Sequence, residues 1–321
     1  MPGIQDLLER LETERGSKLI SYLTGDRKPF TTQIASDVIY LFQQHLEAIG
    51  EQEKISLLLY TRGGDMIAPL RLVKLLREYC KRLEVLVPYV SHSAGTLLCL
   101  GADQIVMGRL SELSPVDPSM THPFNPSNPL NPQEKLQISV EDLNSYFLFA
   151  TDKVGVKKSQ LAELYKSLVQ QVHPLALGSA YRAQRMAKMI ATRSLSLHLK
   201  DRKKIERIVQ ELTSDLCVHG YPITRDEAYA LGLPIENASN GLDKQMHELF
   251  DEYANILELK KAFLPNELLQ GAESVEIENT AGIIHSKAMQ HRYVYKAKIK
   301  RDGNGQIALN IDSNKWELYN K

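Results

Sequence analysis

Hydrophobic residues follow the same order twice in the first third of the chain: a short apolar run, a turn of small residues and a stretch with helical spacing. The two units comprise Ile55–Tyr60, Gly63-Gly64 and Met66–Tyr79, followed by Leu83–Val90, Ser91–Gly95 and Thr96–Ala102. Continuous apolar runs are typical of buried strands, and apolar residues every three or four positions are typical of amphipathic helices. Two strand–turn–helix units predict a parallel sheet with right-handed crossovers, whose ligand site lies at the carboxyl ends of the strands.

The rest of the chain shows mostly helical patterns and ends in strands. Helical spacing occurs in Ile4–Arg15, Ile34–Ile49, Ser139–Thr151, Ser159–Val172, Ser179–Leu199, Lys203–Leu212 and Asn240–Leu257. A capping box that starts at Thr224 predicts another helix, which ends at Gly232. Apolar or alternating runs predict strands at Gln104–Met107, Tyr293–Lys300 and Gln306–Ile311, the last two joined by a turn at 302–305.

Composition places the chain among ordinary globular proteins and excludes several classes of partner. Of its 321 residues 43% are hydrophobic, and 39 basic residues balance 39 acidic ones, so the formal net charge is zero. No global field therefore attracts nucleic acid or an anionic membrane. No run of 18 apolar residues predicts a membrane span, and Cys80, Cys99 and Cys217 lack the spacing of a metal site. We expect a cytoplasmic protein without metal or cofactor.

Ser93 lies where a strand ends and a helix begins, directly before Ala94 and Gly95. Such a turn presents a nucleophilic serine, and the amide of Ala94 at the helix start can stabilise a developing negative charge. The Gly63-Gly64 turn brings further backbone N–H groups to the same sheet edge. The alternatives are that Ser93 only caps the helix and that the glycines only form a tight turn. Because the two turns occur in consecutive units, they favour an active site.

Six motifs, spread in matching order over roughly Gln5 to Ile235, resemble the serine dehydrogenase proteinase family. They are Tyr60–Asp65, Ser93–Thr96, Glu112–Pro118, His173–Gly178, His219–Thr224 and Gly232–Pro234. The family is a branch of the Clp-protease/crotonase fold, which includes signal peptide peptidase A. The resemblance implies metal-free serine peptidase chemistry and a homo-oligomer. The chain departs from the family in His92, where a methionine or small residue is more usual, and lacks the N-terminal hydrophobic segment of many members.

The base that activates Ser93 has more than one candidate. In the Clp protease proteolytic subunit, which this chain resembles, the serine works with a histidine and then an aspartate further along the chain. Asp117 and His219 fall near these two places in exchanged order, so their approximate spacing predicts a triad in which His219 takes the hydroxyl proton and Asp117 fixes the imidazole tautomer. Signal peptide peptidases use a lysine instead, and Lys188 lies in an apolar helical stretch. The structural alternative is that Asp117 caps a turn before Pro118 and that His219 packs in a loop.

Substrate contacts are expected from Gly63 and His173. His173 precedes Pro174 and is therefore disfavoured within a helix, which places it at a helix boundary. A histidine there can bind substrate or support the base, and a purely helix-terminating role is the alternative.

The predicted fold class is α/β: a Clp/crotonase-like ββα superhelix with a helical second half and a C-terminal β-hairpin appendage. The segment Pro115–Pro132 holds six of the 14 prolines and predicts an extended loop. We expect a peptidase domain over residues 1–235, a C-terminal helix over 236–262 and the hairpin appendage over 263–321.

The predicted function is that of a cytoplasmic serine peptidase that cleaves peptides or proteins and assembles from three or more subunits. The alternatives are a non-catalytic peptide-binding or scaffold protein on the same fold and a crotonase-like acyl-CoA enzyme. Lys296, Lys298 and Lys300 alternate along the hairpin. We favour the interpretation that this lysine row is a solvated strand edge that resists aggregation. The alternative is a face that binds nucleic acid or an acidic protein.

Overall fold

Helices and strands alternate through the first part of the chain, and helices dominate the middle. The computed structural model describes residues 3–118, 122–216, 220–301 and 305–319. The α-helices are, in chain order, α1 (Ile4–Arg15), α2 (Val38–Ile49), α3 (Ala68–Glu78), α4 (Ala94–Cys99), α5 (Val140–Asp152), α6 (Leu161–Gln171), α7 (Pro174–Leu195), α8 (Arg202–Gln210), α9 (Arg225–Ala230), α10 (Asn240–Ile256) and α11 (Pro265–Leu269). A 3₁₀ turn at Lys158–Gln160 precedes α6, and a π-helical turn at Glu211–Asp215 follows α8.

Strands form one large sheet and two small ones. They are β1 (Lys18–Thr24), β2 (Gln52–Tyr60), β3 (Cys80–Val87), β4 (Val90–Ser91), β5 (Gln104–Met107), β6 (Glu112–Leu113), β7 (Ser127–Asn128), β8 (Asn131–Lys135), β9 (Ile223–Thr224), β10 (Ile235–Asn237), β11 (Ser274–Ser286), β12 (Gln290–Arg301) and β13 (Ile307–Leu318). The large sheet has the order β10-β5-β3-β2-β1-β11-β12-β13 and the small ones are β4-β6-β9 and β7-β8. The first five strands of the large sheet are parallel and the last three antiparallel, which confirms the α/β class.

The contacts of the chain divide it into two compact units. One combines Met1–Leu113 with Pro222–Lys321, and the other is Ser114–Tyr221. The large sheet and the sheet β4-β6-β9 belong to the first unit, whereas the β7-β8 ladder and helices α5 to α8 belong to the second. The domain boundaries expected at residues 235 and 262 stay a prediction.

The strand expected over Leu83–Val90 is two strands, β3 and β4. Pro88 has no N–H group to donate to a ladder, so the chain leaves the large sheet there and enters the small one. The break brings the end of β4 beside the end of β2 rather than continuing the large sheet.

Strand β1, at the centre of the large sheet, has no counterpart among the predicted elements. It pairs in parallel with β2 and antiparallel with β11. Ser21 interrupts its apolar run, which weakens the hydrophobic signal, although the strand is buried from Leu19 to Thr24. The left-handed Gly16 that ends α1 and Gly25 bound the run and are the signal that could have found it.

The predicted C-terminal hairpin is confirmed as β12 and β13, and β11 pairs with its first strand. Residues 302–304 of the predicted turn lie outside the described residues. The lysine row of β12 faces acidic residues: Lys296 lies opposite Glu278, and Lys298 opposite Glu276, whose carboxylate is 3.5 Å from its amine. Cross-strand pairing of opposite charges supports the structural interpretation of this row.

Helices cover both faces of the parallel strands. On one face α1 and α10 pack in a cluster in which Leu8 and Leu249 meet Leu58 of β2. On the other face the ring of Tyr22 lies 5.3 Å from that of Phe42 on α2, edge to face. These side chains are fully buried, and each one removed from water contributes roughly 1.5–3 kcal/mol to folding.

An ionic network joins α1 to the parallel strands. Arg15, the last residue of α1, donates to both carboxylate oxygens of Glu84 on β3 and of Glu236 on β10. Ser56 on β2 donates to the same Glu84 carboxylate at 2.7 Å. Burial alone would raise the pKa of Glu84, but the hydrogen bonds from Arg15 and Ser56 outweigh it, so this pKa lies below its usual value. The network ties the end of α1 to β2, β3 and β10.

Three buried histidines connect α2 and α10 to the β11–β12 hairpin. His45 on α2 places Nδ1 2.8 Å from the Ser286 hydroxyl and Nε2 3.1 Å from Nδ1 of His291. His285 places Nδ1 2.9 Å from the hydroxyl of Tyr253 on α10. Burial lowers the pKa of His45 to about 3, with the other two histidines adding to the effect, and lowers the pKa of His285 to about 4. These imidazoles are therefore neutral at pH 7.

The second unit is mainly helical. The helix predicted from Ser139 is confirmed as α5, and a capping box begins it, because the Ser139 hydroxyl accepts from the N–H of Asp142 at 3.0 Å. The expectation that regular structure stops throughout Pro115–Pro132 is wrong at residues 127–135, where β7 and β8 form a short ladder. Residues 119–121 lie outside the described part of that segment. No described helix is long and apolar enough to cross a membrane.

The buried histidines predict that the first unit loses stability in mild acid. A histidine whose pKa is lower in the folded state takes up its proton on unfolding, so its contribution is complete above the unfolded pKa near 6.5 and declines below it. Each such group lowers the unfolding free energy by up to about 1.4 kcal/mol per pH unit in that range. Urea unfolding at pH 7.5 and pH 5.0 measures this loss.

The His45→Gln variant supplies the control, because glutamine cannot take up the proton. Its unfolding free energy should depend less steeply on pH than that of the parent protein. An identical slope in the two proteins would contradict the assignment.

Candidate active site

The two predicted turns lie side by side at the carboxyl end of the parallel strands. Beyond the end of β2, the N–H of Thr61 donates to the carbonyl of Val90 at 3.1 Å. The N–H of His92 donates back to the carbonyl of Thr61 at 3.0 Å, which forms a parallel bridge between Thr61 and Ser91. This bridge aligns the Gly63-Gly64 turn with the turn that contains Ser93.

Ser93 has a backbone conformation that side-chain-bearing residues rarely adopt. Its φ is 53° and its ψ is −110°, directly before the first residue of α4. The turn is closed by bonds from the N–H of Gly95 to the carbonyl of His92, at 2.8 Å, and from the N–H of Leu97 to the carbonyl of Ser93, at 3.1 Å. A conformation of this kind costs roughly 1–3 kcal/mol and persists where the surroundings enforce it. Strained strand-to-helix turns present nucleophilic serines.

Gly63 is in close contact with this turn. Its φ is 119°, and a Cβ atom added to it would lie 2.9 Å from Cβ of Ser93 and 3.2 Å from the carbonyl oxygen of His92. Its N–H donates to the Thr61 hydroxyl at 3.0 Å, and that hydroxyl accepts from the Thr24 hydroxyl at 2.7 Å. A side chain at position 63 would push the two turns apart, so this position requires glycine.

Gly64 is held from the other side by Ile34. The N–H of Ile34 donates to the carbonyl of Gly63 at 2.9 Å, and the N–H of Asp65 donates to the carbonyl of Ile34 at 2.8 Å. A Cβ atom on Gly64 would collide with the Ile34 backbone. Among the described residues, neither the Gly64 N–H nor the Ala94 N–H donates to a protein acceptor. Two amides are thus available at the turns that flank Ser93.

One side chain next to Ser93 was not assigned a role from the sequence. His92 places Nε2 2.9 Å from the Glu112 carboxylate of β6, and both side chains are partly buried. Thr61, whose hydroxyl orients Gly63, was also missed. A threonine between a buried strand and two glycines was the available signal for it.

The remaining sequence candidates lie in the second unit or outside the described residues. Asp117 is partly buried in the second unit, and Lys188 on α7 donates to the Gln210 side chain at 3.3 Å. His173 caps α7 by accepting from the N–H of Leu175 at 3.2 Å. His219 lies outside the described residues. Their roles stay predictions.

The histidine at the start of α7 also stacks on an aromatic ring. The His173 and Phe124 rings are 4.3 Å apart with an interplanar angle of 20°.

Over residues 3–118, 122–216, 220–301 and 305–319, no group of three histidine, cysteine, aspartate or glutamate side chains is placed to hold a metal ion.

Comparison with known proteins places the chain beside two curated relatives and one solved structure. Two uncharacterized proteins of Methanocaldococcus jannaschii are 26% identical over 65% of this chain and 23% identical over 77% of it. The chain spans 61% of the length of the first and 75% of the second. A solved serine-to-alanine mutant of the 1510-N membrane-bound stomatin-specific protease is 18% identical, with a TM-score of 0.38 over 71% of this chain and 85% of that one.

A family model matches the segment that carries both turns. Residues 42–170 fit the model of the ClpP-like SDH-type serine proteinases. This segment includes Gly63, Gly64, Ser93 and Ala94. The match confirms the resemblance to the serine dehydrogenase proteinase family and the ClpP-like α/β fold expected from the sequence.

Proposed function

We propose that this protein is a serine peptidase in which Ser93 is the nucleophile. The observation that carries the proposal is the strained Ser93 turn, with φ 53°, in close contact with the Gly63 backbone. An ordinary helix cap does not need a strained backbone. A turn that served only as a cap would therefore adopt a conformation without this cost. The family match of residues 42–170 supports the same reaction class.

The amides of Gly64 and Ala94 are proposed as the oxyanion hole. The Ser93 hydroxyl oxygen attacks the carbonyl carbon of a peptide bond, and the carbonyl oxygen gains negative charge in the tetrahedral intermediate. Two N–H groups that have no acceptor among the described residues can donate to that oxygen, which lowers the barrier most in a site that excludes water. Gly63 leaves room for the substrate backbone.

A base must take the proton of the Ser93 hydroxyl and return it to the leaving amine. We propose His219 as this base, with Asp117 fixing its tautomer, and Lys188 as the rival. Collapse of the intermediate breaks the C–N bond and leaves an acyl group on Ser93. Attack by water then releases the acid and restores the hydroxyl. His173 is a proposed substrate contact.

The apolar surface of the second unit supports a proposal of self-assembly into three or more subunits. Leu148 and Phe149 on α5 are 59% and 61% exposed. Helix α6 is amphipathic, yet none of its residues is buried within the described chain. An amphipathic helix gains stability only when its apolar face is covered, and a second copy of the chain supplies such a cover. Cytoplasmic location remains part of the proposal, supported by the free thiols of Cys80 and Cys99.

Replacement of Ser93 by alanine should remove reactivity without unfolding the protein, because only a hydroxyl is lost. A fluorophosphonate probe should label the parent protein at Ser93, and the Ser93→Ala variant should show no labelling and no peptide hydrolysis. Mass mapping of the modified peptide and a thermal melt check both points. Ser159→Ala, at an exposed serine of the second unit, is the matched control and should label like the parent.

Two results would contradict the nucleophile assignment. One is equal labelling of the parent and of Ser93→Ala. The other is a folded parent that resists the probe, which would favour the peptide-binding alternative, or the acyl-CoA alternative if an acyl-CoA raised the melting temperature.

The base is tested by separate replacements of its two candidates. His219→Ala should lower the labelling rate at pH 7.5 by about 100-fold or more, the usual contribution of a general base, and leave the melting temperature unchanged. Lys188→Ala should label at the parent rate, since its amine is expected only to hold Gln210. The reverse pattern would establish the lysine mechanism.

Charge on the exposed face of α5 should disrupt assembly. Leu148 and Phe149 are exposed whereas Phe147 is half-buried, so Leu148→Glu with Phe149→Glu places both charges on the exposed face. Light scattering after size exclusion should show the parent as a multiple of 36.3 kDa and the double variant at lower mass and activity. Leu318→Glu, at an exposed leucine of β13, is the control. A fully active monomeric parent would contradict the proposal.

A further inference from the structure

The side chain directly before Ser93 is fixed by a carboxylate from another strand. Nε2 of His92 lies 2.9 Å from Oε1 of Glu112, and the two side chains are only 13% and 27% exposed. A partly buried hydrogen bond between an imidazole and a carboxylate is stronger than a fully exposed one, because little water competes with it. Residue 92 is thus tied to β6, although it lies one residue beyond the end of β4.

Glu112 is itself held in a defined position. Its N–H donates to the carbonyl of Tyr89 at 2.8 Å, and it lies opposite Val90 in the parallel pair of β4 and β6. On its other side it lies opposite Thr224 in the antiparallel pair of β6 and β9. The carboxylate therefore reaches His92 from the middle strand of a three-stranded sheet.

The backbone of His92 is fixed in both directions along the chain. Its N–H donates to the carbonyl of Thr61, and its carbonyl accepts from the N–H of Gly95. The next residue, Ser93, is the one with the strained φ of 53°. A strained residue keeps its conformation only when the residues around it leave no alternative.

The small sheet alone restrains the turn weakly. Strands β4 and β6 share only two residue pairs, and β4 ends at Ser91, before the turn begins. The His92–Glu112 bond extends this restraint by one residue, to the peptide that joins His92 to Ser93. Rotation of that peptide toward an ordinary conformation would relieve the strain and turn Cβ of Ser93 away from Gly63.

We propose that His92 and Glu112 are a positioning pair, which holds the Ser93 hydroxyl in its reactive orientation against the Gly63 turn. The inference rests on the proposed role of Ser93 as nucleophile. It adds a second pair of residues that controls the reactivity of Ser93, besides the base and the oxyanion hole. The pair acts through the geometry of Ser93.

The test is the rate of covalent labelling by a fluorophosphonate probe, resolved into the maximal rate and the probe concentration at half-maximal rate. His92→Met and Glu112→Ala should each lower the maximal rate by about tenfold, since small misplacement of a reacting group costs this much or more. The half-maximal concentration and the melting temperature should stay close to those of the parent. His92→Gln places an amide nitrogen where Nε2 lies and should restore most of the rate.

The double variant His92→Met with Glu112→Ala shows whether the two side chains act as a unit. It should label no more slowly than the slower single variant, because the second change removes nothing further. His247→Met is the matched control: it breaks another histidine–carboxylate pair of the first unit, with Asp243 at 3.3 Å on α10, and should label at the parent rate.

The outcomes separate this inference from the proposed function. A parent protein that the probe does not label removes both. A labelled parent with an unchanged maximal rate in His92→Met and Glu112→Ala overturns the positioning pair alone. The positioning pair is also overturned if His92→Gln loses labelling as completely as Ser93→Ala does. The imidazole would then take part in the reaction itself and would not only position Ser93. If His92→Met does not fold, Glu112→Ala carries the same expectation.

Discussion

The contact between the backbones at Gly63 and Ser93 is the constraint on which the rest of the site depends. A Cβ atom at position 63 would lie 2.9 Å from Cβ of Ser93, a distance that real Cβ atoms do not tolerate. Only two turns without an intervening side chain can approach so closely. The approach in turn requires the ends of β2 and β4 to be aligned, which the bridge between Thr61 and Ser91 provides. A displaced register would move Ser93 away from the Gly64 amide of the neighbouring turn.

This alignment depends on how the sheet is built around β2. Strand β1 lies on one side of β2, and its last residue, Thr24, donates to the Thr61 hydroxyl that orients Gly63. Strand β3 lies on the other side and leads through Pro88 into β4. In the same sheet, Arg15 links α1 to β3 and β10 through the buried Glu84 and through Glu236. The removal of one partner from such a network leaves a buried charge uncompensated, which destabilises the fold.

The sequence predicts those parts of the fold that follow from local pattern. The helix at Ile4–Arg15 and the strand at Gln104–Met107 are confirmed with the same bounds, and the capping box at Thr224 is present. These signals involve residues within about four positions of one another. Strand β1 was missed because Ser21 interrupts its apolar run, and its stability comes from its neighbours β2 and β11. A pattern of single residues carries no information about a partner strand 260 residues away.

The same distinction separates the site residues that could be predicted from those that could not. The adjacent turns at Gly63-Gly64 and Ser93 were predictable because small residues at the end of a buried strand mark a turn locally, whereas their role in catalysis stays a prediction. The pairing of His92 with Glu112 depends instead on Val90 lying opposite Glu112, which is a property of the folded register. In the sequence, His92 is a departure from the family pattern with no visible partner. A histidine at a position where a methionine or small residue is more usual becomes intelligible only when a carboxylate 20 residues away is found 2.9 Å from its ring.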